Sequence, residues 1–113
     1  MDAAERDLPD FDRLWNYNDP PETEQRFREL LPPARASGNT SYLVELLTQI
    51  ARTEALQRRF DDAHRTHDEA EALLPEAGDR ARIRHLLERG RVFNSSKRRD
   101  EARESVQLLE ASG

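Results

Sequence analysis

A chain of 113 residues has room for one domain with a modest core, and not for two. Its 23 acids and 18 bases leave a net charge of −5, spread without a long single-sign block. That speaks against a nucleic-acid grip, which needs clustered cations to displace counterions, and the absence of cysteine removes disulfide and thiolate chemistry.

Leu, Ile, Val and Phe make up 23 of the 113 residues, about 20 %, which borders on compositions too polar to fold. Periodicity therefore has to decide whether this chain forms a core. No apolar run approaches the ~18 residues of a membrane span, and the first residues are charged, so the expectation is a cytoplasmic protein with no membrane contact and no signal segment.

Residues 1–19 read as a loose N-terminal segment carrying an aromatic cap, Phe11, Trp15 and Tyr17. Asn18-Asp19-Pro20-Pro21-Glu22 is a helix start: Asp19 can accept from free amides, proline suits the first turn, and Glu22 lies at capping-box spacing. Phe27, Leu30, Leu31 and Ala34 share one face of that helix. Pro32-Pro33 should kink or end its regular part, and Ser37-Gly38-Asn39 stops it.

The next helix, from about Thr40 to Gln57, carries Leu43, Leu46, Leu47, Ile50 and Ala51 at the spacing of one apolar stripe. After a turn at Arg58-Arg59-Phe60-Asp61, a third helix holds Ala63, His67, Ala70, Leu73 and Leu74. The segment Pro75–Asp79 breaks it. A fourth helix places Ile83, Leu86, Leu87, Gly90 and Phe93 on one face, expected to be its core stripe. A turn is expected at Asn94-Ser95-Ser96-Lys97, then a last helix with Ala102, Val106 and Leu109. Nothing alternates with period two for long enough to make a strand. The fold class is all-α, with about five helices.

The two hairpins are copies. Arg58-Arg59-Phe60-Asp61-Asp62-Ala63 aligns with Lys97-Arg98-Arg99-Asp100-Glu101-Ala102 at a shift of 39 residues, and the same shift superposes Val44 on Ile83, Leu47 on Leu86 and Ala51 on Gly90. One hairpin cannot bury its apolar face alone, so it stacks on a similar neighbour. The pattern resembles the tetratricopeptide repeat, in the form of a short, bacterial-type member. Leu47, Ile50, Ala51, Glu54, Ala63, His67, Ala70 and Pro75 stand at its positions in the first unit, and Leu86, Gly90, Phe93 and Ala102 in the second. The sequence departs at Arg89 and Leu109, and its period exceeds the usual 34 by five. The resemblance implies an α-solenoid of stacked antiparallel hairpins over residues 20–113. Residues 20–37 form a half unit, 40–75 the first hairpin and 79–112 the second.

The resemblance also implies a non-enzymatic scaffold that holds a protein or peptide in a concave groove lined by the first helix of each hairpin. On the helix from Thr40 the groove positions are Glu45, Thr48, Gln49, Arg52 and Ala55. On the helix from Asp79 they are Arg84, Glu88, Arg91, Asn94 and Ser95. Arg52 and Arg91 coincide under the repeat shift and should stand side by side, where two guanidinium forks suit a carboxylate or an acidic peptide. The groove set carried forward is Thr48, Gln49, Arg52, Arg84, Arg91 and Asn94, and the plainer reading is that these are solvated residues of an Arg-rich chain. The alternative function is a structural module that forms a homodimer through its uncapped C-terminal helix.

Enzyme signals are weak. His64 and His67 share a face at i, i+3, a spacing metal sites use, but no second such motif exists, and His67 reads as packed. Neither a Gly-rich phosphate loop nor a nucleophile elbow is present. No catalytic residue, metal or cofactor is expected.

Overall fold

A computed structural model of the protein describes residues 8–112, with side chains described for 8–97. Every regular element among the described residues is helical. A 3-10 turn, Phe11–Leu14, precedes α1 (Pro20–Glu29), whose first amides are capped by Asp19: its Oδ1 accepts from the Glu22 N–H at 3.1 Å. The break expected near the proline pair falls at Leu30. Pro32 and Pro33 then occupy the first turn of α2 (Leu31–Ser37), where a missing N–H leaves nothing unsatisfied. Gly38, at φ 72°, ends α2 in the left-handed conformation that only glycine adopts cheaply.

Asn39 caps α3 (Thr40–Leu56) by accepting from the Tyr42 N–H at 3.0 Å. A tight turn over Gln57–Arg59, with Arg58 at φ 65°, leads into α4 (Phe60–Leu73). A second 3-10 turn, Leu74–Glu76, then leads to α5 (Asp79–Ser112). Of the charge pairs the spacing favours, Glu22–Arg26 closes at 2.8 Å and Glu24–Arg28 at 2.7 Å. Arg65 pairs with Asp62, three residues before it, and Arg58 lies over the Phe60 ring.

The centre of the molecule is α3, which packs against α1, α2, α4 and α5. Its stripe Leu43, Leu46, Leu47 and Ile50 is buried with Phe27, Val44 and Ala34 in one cluster. Ala51, Phe60, Ala63 and Val92 form a second. Ala51 and Ala63 are both fully buried, so small residues sit where α3 meets α4 and let the backbones approach closely.

Two expectations fail in α5. No turn forms at residues 94–97, because Asn94-Ser95-Ser96-Lys97 holds neither glycine nor proline. Its weak helix formers cost at most ~0.7 kcal/mol each, too little to break a helix. The helix therefore runs on for 34 residues, ~51 Å, and the second hairpin is not made. The second failure follows from the first. With no helix folded back to cover it, the expected core stripe faces outward: Ile83, Leu86, Leu87 and Phe93 are 57, 69, 62 and 53 % exposed. The face packed inward is Ala81, His85, Glu88 and Val92, all buried. Ion pairs flank the inward face on either side, Arg84 to Asp12 and Glu45, Arg89 to Asp68 and Glu71. Ala102, Val106 and Leu109 lie outside the residues whose side chains are described.

Between α4 and α5 lies a buried imidazole pair. The His67 and His85 rings are 5.2 Å apart, and His85 Nε2 donates to the His67 carbonyl at 3.3 Å. Both ring nitrogens of His67 lack a partner among the described residues. Burial, then the positive charges that His85, Arg89 and His64 bring, push its pKa down to about 3, with Asp68 pulling weakly the other way. The unfolded imidazole takes its proton near pH 6.5 and the folded one only near 3, so the unfolded state binds more protons between these values. Stability should fall as pH drops from about 6.5 toward 3. In urea titrations at stepped pH, His67→Phe should flatten that part of the curve. An unchanged slope in this variant would mean that other groups carry the acid sensitivity.

Candidate functional site

The site begins with the N-terminal segment, which crosses the face where a groove was expected. Phe11 packs edge-on against Phe27 and Tyr42, with centroids at 6.1 and 5.1 Å, and Tyr42 donates to the Pro9 carbonyl at 2.7 Å. Asp12 grips Arg84 through both carboxylate oxygens, at 2.6 and 3.0 Å, and Arg84 also reaches Glu45 at 3.2 Å. Trp15 stands edge-on to Phe27, stacks on Tyr17 at 4.6 Å, and donates its indole N–H to Gln49 Oε1 at 2.9 Å. The segment is a strap across α3 and α5.

The strap divides the expected groove residues. Thr48 and Gln49 are buried beneath it: the Thr48 hydroxyl bonds back to the Glu45 carbonyl at 2.6 Å, and Gln49 spends its amide on Trp15 and Thr48. Neither is available to a ligand. Arg84 is held by Asp12 and Glu45, at the edge of a cleft of about 450 Å³ that Asp12, Arg80, Ile83 and Leu87 also line.

Arg52, Arg91 and Asn94 come together. With Ala55, Leu56, Glu88, Val92 and Ser95 they line a cavity of about 300 Å³ between α3 and α5. Arg52 lies over both rings of the Trp15–Tyr17 stack, at 5.4 and 5.3 Å, and has no carboxylate partner among the described residues. Its fork is thus pre-oriented and uncompensated, a state that favours an incoming anion. Arg91 is largely exposed and meets Glu88 Oε1 at 3.3 Å. Glu88 is 6 % exposed, and its Oε2 is buried without a hydrogen-bond partner. Such an oxygen calls for a donor. Leu56, about half exposed, supplies an apolar wall.

Two further buried carboxylates lie elsewhere on α1 and α3. Burial would raise Glu24, but hydrogen bonds from Gln57 and Arg28 and the charges of Arg28 and Arg59 outweigh it and hold this carboxyl below its ordinary value. Glu54 goes the other way. Burial raises it, and the Thr66 hydroxyl at 2.5 Å with Arg28 and Arg59 at 3.5 and 3.8 Å only partly offsets that. The signal for Glu54 was its place seven residues after Leu47, on the apolar stripe itself. Leu56 was legible as an apolar residue off that stripe. Glu88 carries no such mark, because the face of α5 that turns inward was not the apolar one.

Compared with protein-family models, curated proteins and solved structures, the chain matches none. Its site has to be read from its own chemistry. Among the described residues no group of three or more His, Asp or Glu is placed to hold a metal ion, and no helix is long and apolar enough to cross a membrane.

The bond from Trp15 to Gln49 gives the strap a measurable anchor. Gln49→Leu leaves the indole N–H without its acceptor and should cost about 1–3 kcal/mol in chemical denaturation. Since Trp15 is the single tryptophan, its emission reports the same change directly. Unaltered emission and stability would show that the strap is held by its other contacts without this bond.

Proposed function

We propose that the protein is a non-enzymatic interaction module that captures an acidic segment of another protein in the cavity between α3 and α5. One observation carries this reading: Arg52 and Arg91 line the same cavity with Asn94, and Arg52 has no carboxylate of its own. Most other arginines of the body are already paired, Arg59 with Glu24, Arg84 with Asp12 and Arg89 with Asp68, so Arg52 stands out as a cation held in place yet unneutralised. A bound carboxylate would take the forks of Arg52 and Arg91, and a backbone N–H of the same segment would answer Glu88 Oε2. Ala55, Leu56 and Val92 offer a dry wall for a neighbouring apolar side chain. The α3–α4 hairpin, with Ala51 and Ala63 at its contact, supports reading residues 40–75 as one tetratricopeptide-type unit; the unbroken α5 departs from that plan.

The test uses Trp15, whose rings lie under Arg52, as the reporter. Displayed peptides selected on the full chain should be enriched in Asp and Glu. Their binding should shift Trp15 emission and weaken with added salt. Charge reversal at both sites, Arg52→Glu with Arg91→Glu, should lower affinity at least ~100-fold, as expected for loss of desolvated charge pairs, with the fold intact by circular dichroism. Selection of acid-free peptides, or retained affinity in the double variant, would overturn the reading.

A further inference from the structure

We infer that the contact between α4 and α5 is an acid-operated latch: protons taken up by its imidazoles undock α5 from the α3–α4 hairpin, which stays closed. Because α5 forms one wall of the cavity, the latch also governs capture there, a consequence that rests on the cavity reading.

The observation that carries this is where buried polar atoms go unanswered. Among the described residues, the buried side-chain atoms without a hydrogen-bond partner are His64 Nδ1, both ring nitrogens of His67, His85 Nδ1 and Glu88 Oε2. All belong to α4 or α5. The buried polar residues of α1 and α3, Thr23, Glu24, Thr48, Gln49, Thr53 and Glu54, are all hydrogen-bonded. An unmet group costs about 1–3 kcal/mol, so the polar cost of the fold is concentrated where α5 docks.

Three of these side chains are imidazoles, and they meet across the contact. His67 and His85 are 5.2 Å apart, and His64 tilts against Phe93 of α5 at 4.5 Å. An imidazolium there finds no free counter-charge. From α5, His85 and Arg89 oppose a positive charge. From α4, His64 opposes it too, while Asp61 favours it weakly at His64, and Asp68 is taken by Arg89 at 2.6 Å. From α3, Glu54 is taken by the Thr66 hydroxyl at 2.5 Å, with Arg28 and Arg59 at 3.5 and 3.8 Å, and none of those partners lies on α5. Burial, then Arg89, holds His64 below its ordinary value, and His67 lies at about 3. Both rings are neutral while docked and take a proton near pH 6.5 once water reaches them. Docking is therefore at full strength above that value and weakens as pH falls below it. The hydrogen bond from Arg89 holds Asp68 below its ordinary value, so that ion pair outlasts the imidazoles.

The element that leaves is α5, because its grip is the lesser one. The α3–α4 hairpin is closed by a turn of three residues and by Ala51, Phe60 and Ala63, all buried. The inward face of α5 sets only Ala81 and Val92 beside His85 and Glu88.

Amide hydrogen exchange of the full chain, resolved by residue and expressed as protection factors at about pH 7.5 and about pH 5, tests this. An undocked α5 loses the tertiary support that its hydrogen bonds need. An imidazole that moves from about 3 to 6.5 on opening makes opening about thirtyfold more frequent at the lower pH. Amides of residues 83–93 should lose that factor, while those of residues 43–50 and 63–70 lose less than about threefold. This comparison needs no variant. His67→Phe keeps a ring in place without a titrating group and should remove most of the loss. An acidic peptide selected on the cavity, at about ten times its Kd, should raise α5 protection about tenfold. Equal losses in α3, α4 and α5, full protection of α5 at the lower pH, or a His67→Phe chain as acid-sensitive as wild type overturns the latch. A peptide that binds without protecting α5 overturns its link to the cavity. Loss confined to α5 in a chain that binds no acidic peptide upholds the latch and overturns the cavity reading.

Discussion

A helix buried on nearly every side must find a partner for every polar group it carries, and α3 is under that constraint. Besides its apolar residues it buries Thr48, Gln49, Thr53 and Glu54. The two threonines meet the requirement locally, each bonding to a carbonyl three residues back. Gln49 and Glu54 cannot. Gln49 needs the Trp15 indole, and Glu54 needs Thr66 of α4 with Arg28 and Arg59 nearby. Because an unanswered buried polar group costs about 1–3 kcal/mol, these contacts tie the strap, α1 and α4 to α3 in addition to the apolar stripe.

The placement of α5 follows from a different balance. Its most apolar face is outside, and the face against α3 and α4 holds an alanine, a histidine, a glutamate and a valine. Burial alone would have turned it the other way. The ion pairs of Arg84 and Arg89 flank the inward face, and Ala81 lets the backbones come close. This arrangement brings Arg91 and Asn94 beside Arg52, and it leaves Ile83, Leu86 and Leu87 largely exposed.

The all-helical character, the cap at Asp19, the stop at Gly38 and the α3 stripe were legible because each is a local property written in a few adjacent residues. Of the residues that the resemblance put on the side away from the core stripe, Arg52, Ala55, Glu88, Arg91, Asn94 and Ser95 line one cavity, whereas Thr48 and Gln49 lie under the strap and Arg84 is spent on Asp12. What could not be read was long-range: how α5 is rotated, and that a segment more than thirty residues upstream crosses the groove face. The turn expected from Asn94-Ser95-Ser96-Lys97 rested on turn-favouring residue types alone, whereas the turn that does form, over Gln57–Arg59, holds Arg58 at φ 65°, a strained conformation kept by the hairpin around it.

The strap also sets an order of loosening. It joins Asp12 to Arg84, 72 residues away, while the α3–α4 hairpin closes across a turn of three residues. Its hold consists of the buried Phe11 and its neighbouring rings, the hydrogen bonds from Tyr42 to Pro9 and from Trp15 to Gln49, and a partly buried ion pair, all contacts that the α3–α4 hairpin does not need in order to close. Lifting it uncovers Thr48 and Gln49 and takes the aromatic rings from beneath Arg52. The orientation of Arg52 in the cavity therefore depends on the strap that carries Trp15 and Tyr17.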